Sequence, residues 1–307
     1  MKTDFDFGLV LFLSCYIIDL SMIKRVTKMH SLYPNNFHQL YSPPDQIYLR
    51  GTLRSDIRLV AMIGTRKPSG YGTAVSIQIA QGLVRAGLGV VSGLAYGIDM
   101  ISQQAVLGLS GYTLAVLGSG LGKIYPRQNQ GLANQICQSG GGLISEYSQE
   151  EQALAWHFPM RNRLIAALAE VVIVVEAGIK SGTFLTVNAA LDLGKTVYAV
   201  PGPINSQASE GTNTLIRQGA TLIRSVDDIL EDLGLSGQLV SSKLGLRLDK
   251  LSQAILDLIS SGVGEQDKII QSLELDAKNT ARLLVELELK GLITKTKTGI
   301  WSLQASG

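Results

Sequence analysis

The residues best suited to bind a charged ligand lie in GTRKPSGYG (64–72), a glycine-rich turn that contains the adjacent cations Arg66 and Lys67. Five apolar residues (59–63) precede this turn, and an apolar helical pattern (73–86) follows it. Strand, glycine-rich turn and helix in that order present backbone N–H groups and a helix N-terminus to an anion. A guanidinium at the apex of such a turn suits bidentate phosphate binding. We therefore predict a site for a polyanion. Its candidate residues are Gly64, Thr65, Arg66, Lys67, Tyr71 and Gly72.

Three further segments stand at or near the ends of predicted strands. SGLAYGID (92–99) is rich in glycine, HFPMRNR (157–163) combines an aromatic ring with two arginines, and SGTFLT (181–186) opens a predicted helix. Because the carboxyl ends of parallel strands meet at one edge of a sheet, we expect all four segments to lie on one rim. The candidate binding residues that they add are Ser92, Gly93, Phe158, Arg161, Asn162, Arg163, Ser181, Gly182 and Thr183.

Several of these residues have a structural role as the alternative. Phe158 precedes a proline and is either a core residue or a stacking platform for a base. Arg161 and Arg163 are two apart at a predicted helix start, so they cannot both face the same way and one is expected to be structural. Glu176 is expected to cap a helix or to pair with one of these arginines, the alternative being a catalytic carboxylate. His157 has no evident oriented partner that would make it a general base.

The sequence contains no nucleophile elbow, no Walker A motif and no metal-ligand spacing. We therefore predict no catalytic residue, no metal and no cofactor. The net charge is +2, which excludes a general polyelectrolyte attraction to nucleic acid, so any such binding must come from a local patch.

The composition bounds the class of protein. With 307 residues, of which 46% are hydrophobic and 17% charged, the chain is long enough for two domains with a large core. Cys15 and Cys137 form no CxxC pair, which favours a reducing, cytoplasmic location. The apolar run at 7–18 is too short to span a bilayer, so a buried helix or an atypical start is preferred to a membrane anchor.

Short apolar strands alternate with helical patterns from residue 59, which predicts an α/β fold. We expect an extended Rossmann-like, mostly parallel sheet with helices on both faces, followed by a small winged-helix domain. The predicted strands are 59–63, 89–92, 113–117, 142–145, 171–177, 196–200 and 220–223. The predicted helices are 73–86, one after Gly97, 128–138, one near 161–169, 183–193 and 226–233. The predicted divisions are a short N-terminal segment at 1–50, a Rossmann-like domain at 51–233, a linker at 234–247 and a winged helix at 248–307.

The winged-helix prediction rests on three helical patterns, 248–260, 265–273 and 277–291, before a hairpin at 292–304. Between Asp249 and Leu303 we count seven Lys or Arg residues against eight Asp or Glu residues. A domain with a net charge near −1 is poorly suited to phosphate contacts. We therefore expect an interaction or regulatory module rather than a duplex binder.

Eight motifs, in order over residues 33–233, resemble the DprA/Smf family of DNA-processing proteins. They are GTRKPSGYG, SGLAYGID, LGSGLGKIYP, HFPMRNRLIA, VVIVVEA, SGTFLT, YAVPGP and EGTNTLIRQGA. The resemblance implies a homodimer that binds and protects incoming single-stranded DNA and helps load the RecA recombinase in natural transformation. It maps a phosphate-binding arginine on Arg66, the FPxRNR segment on 158–163, and the SG[ST] turn on 181–183. Many members carry a helical N-terminal domain, which is shortened, degenerate or mis-started here.

Residues and resemblance together predict a groove for single-stranded DNA. Phosphates would contact the amides of 64–67 and 181–183, with Arg66, Arg161 or Arg163 neutralising charge. One rival is a nucleotide-acting enzyme of the phosphoribohydrolase kind, whose PGGxGTxxE signature carries a catalytic glutamate. The corresponding segment here, AGIKSGTFLT, has no glutamate after Gly-Thr. A second rival is a winged-helix transcription regulator with a ligand-sensing core.

Overall fold

The computed structural model describes residues 22–235, 250–260, 263–273, 276–289, 293–296 and 299–303. They divide into two compact units. One contains the described residues through Gln81 together with Leu88–Ile223, and the other contains Gly82–Gly87 and the described residues from Arg224 onward. The apolar run at 7–18 and nearly all of the predicted linker lie outside the described residues.

The first unit is built on one sheet to which nine described strands contribute. They are β1 (Ile23–Thr27), β2 (Gln46–Gly51), β3 (Leu59–Ile63), β4 (Gly89–Ser92), β5 (Thr113–Leu117), β6 (Gly142–Ser145), β7 (Val171–Val174), β8 (Val197–Ala199) and β9 (Thr221–Leu222). Their order is β1-β2-β6-β5-β4-β3-β7-β8-β9. All neighbours from β6 to β9 are parallel, which confirms the predicted mostly parallel α/β sheet.

The sheet extends further toward the N-terminus than we predict from the sequence. β1 and β2 pair antiparallel, and β2 pairs antiparallel with β6. Val26, Ile47 and Leu49 are buried, and their neighbours in each strand are exposed or partly exposed, among them Arg25 and Arg50. This alternation is typical of a half-exposed antiparallel strand, whereas the predicted strands are the continuous apolar runs of a doubly covered sheet. The predicted boundary at 50/51 therefore falls within β2.

Helices connect the parallel strands. They are α1 (Gly70–Arg85), α2 (Ile98–Leu107), α3 (Gln130–Gln138), α4 (His157–Leu168), α5 (Thr183–Asp192) and α6 (Glu210–Arg217). The predicted helix near 161–169 begins earlier, at His157, so HFPMRNR forms the first two turns of α4 rather than a loop. None of the described helices has the length and apolar character that crossing a membrane requires.

Both faces of the sheet are covered, as predicted. On β5, Leu114 and Val116 belong to an apolar cluster that includes residues of α4 and α5. Ala115 and Leu117 belong to a different cluster, which includes residues of α3. Because successive side chains of a strand point to opposite faces, α3 and α4 lie on opposite sides of the sheet.

The chain reverses its direction of travel across the sheet at β3. From β3 it proceeds through β4, β5 and β6 to one side, and then returns to place β7, β8 and β9 on the other side. The loops after β3 and β7 therefore leave neighbouring strands and turn toward opposite faces. The amide of Thr65 donates to the carbonyl of Glu176 across this boundary, at 2.7 Å. Ligands of doubly wound folds bind at such a topological switch point.

The second unit contains α7 (Val226–Asp232) and the predicted winged-helix elements. These are α8 (Lys250–Ser260), α9 (Gln266–Leu273), α10 (Ala277–Leu289), β10 (Ile293–Lys295) and β11 (Trp301–Leu303). β10 and β11 pair antiparallel, and one buried cluster joins the three helices to the hairpin. This confirms the three helices and hairpin expected from the sequence, although Lys297 and Thr298 of the turn lie outside the described residues.

Candidate nucleic-acid interface

An open groove of about 750 Å³ lies beyond the carboxyl ends of β3 and β7, and we call it the switch-point groove. The loop after β3, the loop before α2, the first turns of α4 and the loop into α5 all contribute to its lining. The predicted residues that line it are Gly64, Thr65, Arg66, Phe158, Arg161, Asn162, Ser181, Gly182 and Thr183. The four predicted segments therefore do meet on one rim.

Arg66 is an exposed cation in the lining of this groove. Its guanidinium carbon lies 5.5 Å from the centroid of the Phe158 ring, within the range of a cation–π contact. Phe158 is half-buried and lines the groove, so its ring combines a packing role with a face toward the ligand space. Among the described residues, no carboxylate or carbonyl accepts a hydrogen bond from the Arg66 guanidinium. The charge is therefore held in place but not neutralised.

The backbone around Arg66 is fixed by its neighbours. The amide of Ile98 donates to the Thr65 carbonyl at 3.2 Å, and the amide of Lys67 donates to the Thr65 hydroxyl at 3.2 Å. Gly97 has a φ of 77°, and a Cβ there would lie 2.2 Å from the Thr65 carbonyl oxygen. Only glycine fits this close approach.

These bonds correct the prediction that the amides of 64–67 and 181–183 hold phosphates. The amides of Thr65 and Lys67 already have acceptors, as do those of Ser181 and Thr183. Within the described part of the chain, the amides of Gly64, Arg66 and Gly182 have no acceptor. They are the ones left for an anion.

Glu176 caps α1. Its carboxylate accepts from the amide of Ser69 at 2.8 Å and from the Ser69 hydroxyl at 2.6 Å, close to the positive end of the helix dipole. A Cβ on Gly72 would lie 2.4 Å from a carboxylate oxygen of Glu176, so Gly72 makes room for the cap. The predicted capping role is confirmed, and the alternative pairing with Arg161 or Arg163 is wrong.

Arg161 forms the floor of the groove and is only 4% exposed. Its Nη1 donates to the carbonyl of Gly93 at 2.6 Å and to that of Val116. Burial lowers the pKa of Arg161 to about 10, with the Asp99 carboxylate opposing that shift, so the guanidinium stays charged at neutral pH. The prediction that Arg161 contacts phosphate directly is corrected, because the side chain is buried, its Nη1 is engaged by the Gly93 and Val116 carbonyls, and its Nε donates to the Asn162 side chain at 3.2 Å.

Ser92 and Gly93 lie behind the groove. The prediction that they contact the ligand is therefore corrected. The Ser92 hydroxyl is buried and donates to the Met62 carbonyl at 2.6 Å. Gly93 is buried, its amide donates to Asp99 at 3.0 Å, and a Cβ there would lie 2.5 Å from the Arg161 guanidinium. Their small size admits the buried arginine.

Arg163 faces away from the groove. The prediction that it contacts phosphate is therefore corrected. It pairs with Glu146 and donates to the Ser42 carbonyl at 2.8 Å. Burial raises the pKa of Glu146, and the nearby guanidinium opposes this. Arg161 and Arg163 thus face different ways, as expected for positions i and i+2 of a helix.

Two predicted residues are exposed but do not line the groove. Lys67 is exposed beside Arg66, and the Tyr71 hydroxyl donates to the Pro201 carbonyl at 2.8 Å. Their assignment as binding residues remains a prediction.

Sequence reasoning missed Lys180. It is exposed, lines the groove and immediately precedes Ser181, whose hydroxyl donates to that of Thr183 at 2.7 Å in the turn that opens α5. The available signal was a lysine between a predicted strand and a helix start. Among the described lining residues, the charged side chains are three cations and the buried Asp99, so the groove is net positive.

The carboxylates near the groove are held in structural roles. Asp99 is buried and accepts from the Gly93 amide, and Glu176 accepts from Ser69. The third residue after Thr183, where the rival enzyme signature has its glutamate, is Thr186, which is 2% exposed. No observation among the described residues favours the phosphoribohydrolase alternative.

Comparison with known proteins identifies close relatives. Residues 24–234 match the family model of DNA recombination-mediator protein A, and residues 242–297 match the DprA winged helix domain. The chain is 39% identical over 202 residues to Protein Smf of Escherichia coli, covering 66% of this chain and 54% of that protein. It is 41% identical over 203 residues to DNA processing protein DprA of Bacillus subtilis, covering 66% and 68%. The matched region is thus about half to two thirds of those relatives.

Two solved structures resemble the chain at similar identity. DNA processing protein A from Streptococcus pneumoniae has a TM-score of 0.65 at 36% identity, covering 69% of this chain and 75% of that one. DNA processing protein A from Helicobacter pylori has a TM-score of 0.64 at 31% identity, covering 70% and 97%, and its structure is described in terms of a single-stranded DNA binding mode.

Proposed function

The chain belongs to the family of DNA recombination-mediator protein A, and on that basis we propose that it binds single-stranded DNA in the switch-point groove. The observation that carries this proposal is the exposed Arg66 guanidinium, without an acceptor among the described residues, over the ring of Phe158. A cation beside an aromatic face matches the two recurring components of a nucleic-acid strand, its phosphates and its bases.

In this proposal different residues of the groove bind the phosphates and the bases of the strand. Phosphates contact Arg66 and Lys180, and the free amides of Arg66 and Gly182 supply further donors. A base stacks on Phe158. Nothing in the lining resembles a reader of base edges, so sequence preference should be slight. The neighbour from Helicobacter pylori supports the choice of ligand through its described single-stranded DNA binding mode.

Membership of the family supports a proposal for the wider role. We propose that the protein acts in DNA processing and recombination in the cytoplasm, protects incoming single-stranded DNA and helps load RecA during natural transformation. We also propose a homodimer, in which two grooves on one strand would raise the apparent affinity. Its acidic winged helix would serve as an interaction or regulatory module. No step in this role calls for catalysis.

A competition experiment tests the ligand. A fluorescent single strand is bound to the full chain and displaced with unlabelled single strand or with duplex of the same sequence. We expect the single strand to compete at much lower concentration than duplex, because bases must be unpaired to stack on Phe158. Equal competition by duplex would favour the transcription-regulator alternative, and no binding of either would refute the proposal. Release of free base from nucleoside monophosphates would support the enzyme instead.

The RecA role needs a separate assay. RecA is added to single-stranded DNA covered by single-strand-binding protein, and filament formation is followed by its DNA-dependent ATP hydrolysis. We expect the protein to shorten the lag before hydrolysis, and the Arg66→Ala variant to lose that effect. An unchanged lag with a protein that binds DNA would refute RecA loading but leave DNA binding intact.

A further inference from the structure

A second groove, of about 790 Å³, lies beside the first and has no part in the site described above. Its lining comes from residues 122–128 and Gln130, from Gln152 and Ala153, and from Tyr96 in the loop before α2. We call it the tyrosine groove.

The two grooves meet at an aromatic pair. The rings of Tyr125, in the tyrosine groove, and Phe158, in the switch-point groove, have centroids 5.6 Å apart and are tilted by 50°. The adjacent residues Ala95 and Tyr96 provide a second connection, since the first lines the switch-point groove and the second lines the tyrosine groove. A chain leaving Phe158 can therefore pass directly onto Tyr125.

The tyrosine groove offers the same chemistry as the first groove. Tyr125 is 48% exposed and Tyr96 is 37% exposed, so both rings are accessible to a ligand in this groove. Arg127 is exposed, and no described residue accepts a hydrogen bond from it. Lys123 is paired with Glu150 at 3.0 Å, so Arg127 is the more available cation.

The walls of the tyrosine groove are preformed. The amides of Gly120 and Gly122 donate to the carbonyls of Glu151 and Gln149, both at 2.9 Å, and join the two loops. A Cβ on Gly120 would lie 2.0 Å from a backbone oxygen, so the glycine is required for this close approach. On the other side, the Asn129 amide group donates to the Leu94 carbonyl at 2.8 Å. Binding would therefore need little reordering of the backbone.

We propose that the tyrosine groove extends the path of the same nucleic-acid strand, and this rests on the proposed function of the switch-point groove. The strand crosses the Phe158–Tyr125 pair, its next bases stack on Tyr125 and Tyr96, and Arg127 contacts a phosphate. Stacking rings that alternate with cations along a groove are how proteins bind single strands without reading their sequence.

Oligothymidylates of two lengths distinguish binding in the switch-point groove alone from binding in both grooves. One of about 5 nucleotides fits a single groove, and one of about 15 nucleotides reaches both. We expect Arg127→Ala to weaken binding of the longer strand roughly tenfold, as for the loss of one charged hydrogen bond, and to leave the shorter strand unaffected. Tyr96→Leu should act in the same way, while Tyr96→Phe keeps the ring and the affinity.

The matched control is Arg217→Ala. Arg217 is exposed in the last turn of α6. This turn leads into β9, the edge strand of the sheet, and Arg217 lines neither groove. If both strands bind and neither Arg127→Ala nor Tyr96→Leu changes the affinity for the longer one, the extension is overturned and the proposed function stands. Equal weakening of both lengths would also overturn it. If wild type binds neither strand, the proposed function itself fails.

Discussion

Arg66 and Arg161 both line the switch-point groove, yet they are placed in opposite environments. Arg66 is exposed over an aromatic ring, and no described residue accepts a hydrogen bond from it. Arg161 is 4% exposed, donates to two backbone carbonyls and lies near the buried Asp99. The same side chain is available to a ligand in one place and engaged by the protein in the other. Burial and hydrogen-bond partners, not residue type, separate the binding arginine from the structural one.

The difference extends to two layers of the site. The front layer consists of Arg66, Phe158 and Lys180, which face the groove with exposed or half-buried side chains. The back layer consists of buried Arg161 and Glu176, which tie the loops of the rim to strand ends and to the start of α1. A fixed back layer lets the front layer bind with a small loss of conformational entropy.

The largest effect on stability is expected from a substitution in the back layer. Arg161→Leu leaves the buried Asp99 and two carbonyls without their cation, and we expect unfolding free energy to fall by about 3–5 kcal/mol. Arg66→Ala should change it by less than about 0.5 kcal/mol, as for an ordinary surface substitution. Denaturant unfolding followed by circular dichroism measures both.

A double mutant sharpens this first prediction. Asp99→Asn removes the charge that faces Arg161, so Arg161→Leu should cost less in that background than in wild type. If the Arg161→Leu protein is as stable as wild type, the structural role of Arg161 is contradicted. Arg161 would then again be a candidate ligand contact.

A smaller effect is expected at the aromatic member of the front layer. Phe158→Ala removes the stacking face, and we expect the binding free energy for single-stranded DNA to weaken by about 1–3 kcal/mol. Phe158→Tyr keeps a ring of the same outline and should bind nearly as wild type. Fluorescence anisotropy measures the affinities. Equal affinities for the alanine and tyrosine variants would show that the ring is only a packing element beside Gly118.

The smallest effect is expected at Lys180. Its ammonium is a strongly hydrated point charge on a flexible stem, so Lys180→Ala should weaken binding by less than about 1 kcal/mol. Lys180→Arg should keep the affinity. A loss larger than that of Phe158→Ala would contradict the ranking and make Lys180 the main phosphate contact.

The sequence predicts the frame of the site well and its internal contacts poorly. β3 is an uninterrupted apolar run, β4 is a short buried segment with two valines, and both precede glycine-containing turns, so their ends, and hence the rim, follow from local pattern. The acceptors of Arg161, by contrast, are carbonyls 68 and 45 residues away in the chain. The local sequence predicts that one of Arg161 and Arg163 is structural, but it does not identify these distant acceptors. Lys180 escaped notice for a related reason, because its position depends on where the loop after β7 turns.

The most direct test measures the salt dependence of single-stranded DNA binding for wild type, Arg66→Ala and the control Arg217→Ala. Each phosphate neutralised in a single strand contributes about −0.7 to the slope of log affinity against log salt. We predict that Arg66→Ala weakens binding roughly 10- to 100-fold at low salt and makes the slope shallower by about that amount, while Arg217→Ala changes neither. An unchanged affinity and slope for Arg66→Ala would contradict a phosphate contact at Arg66 and, with it, the assignment of the switch-point groove.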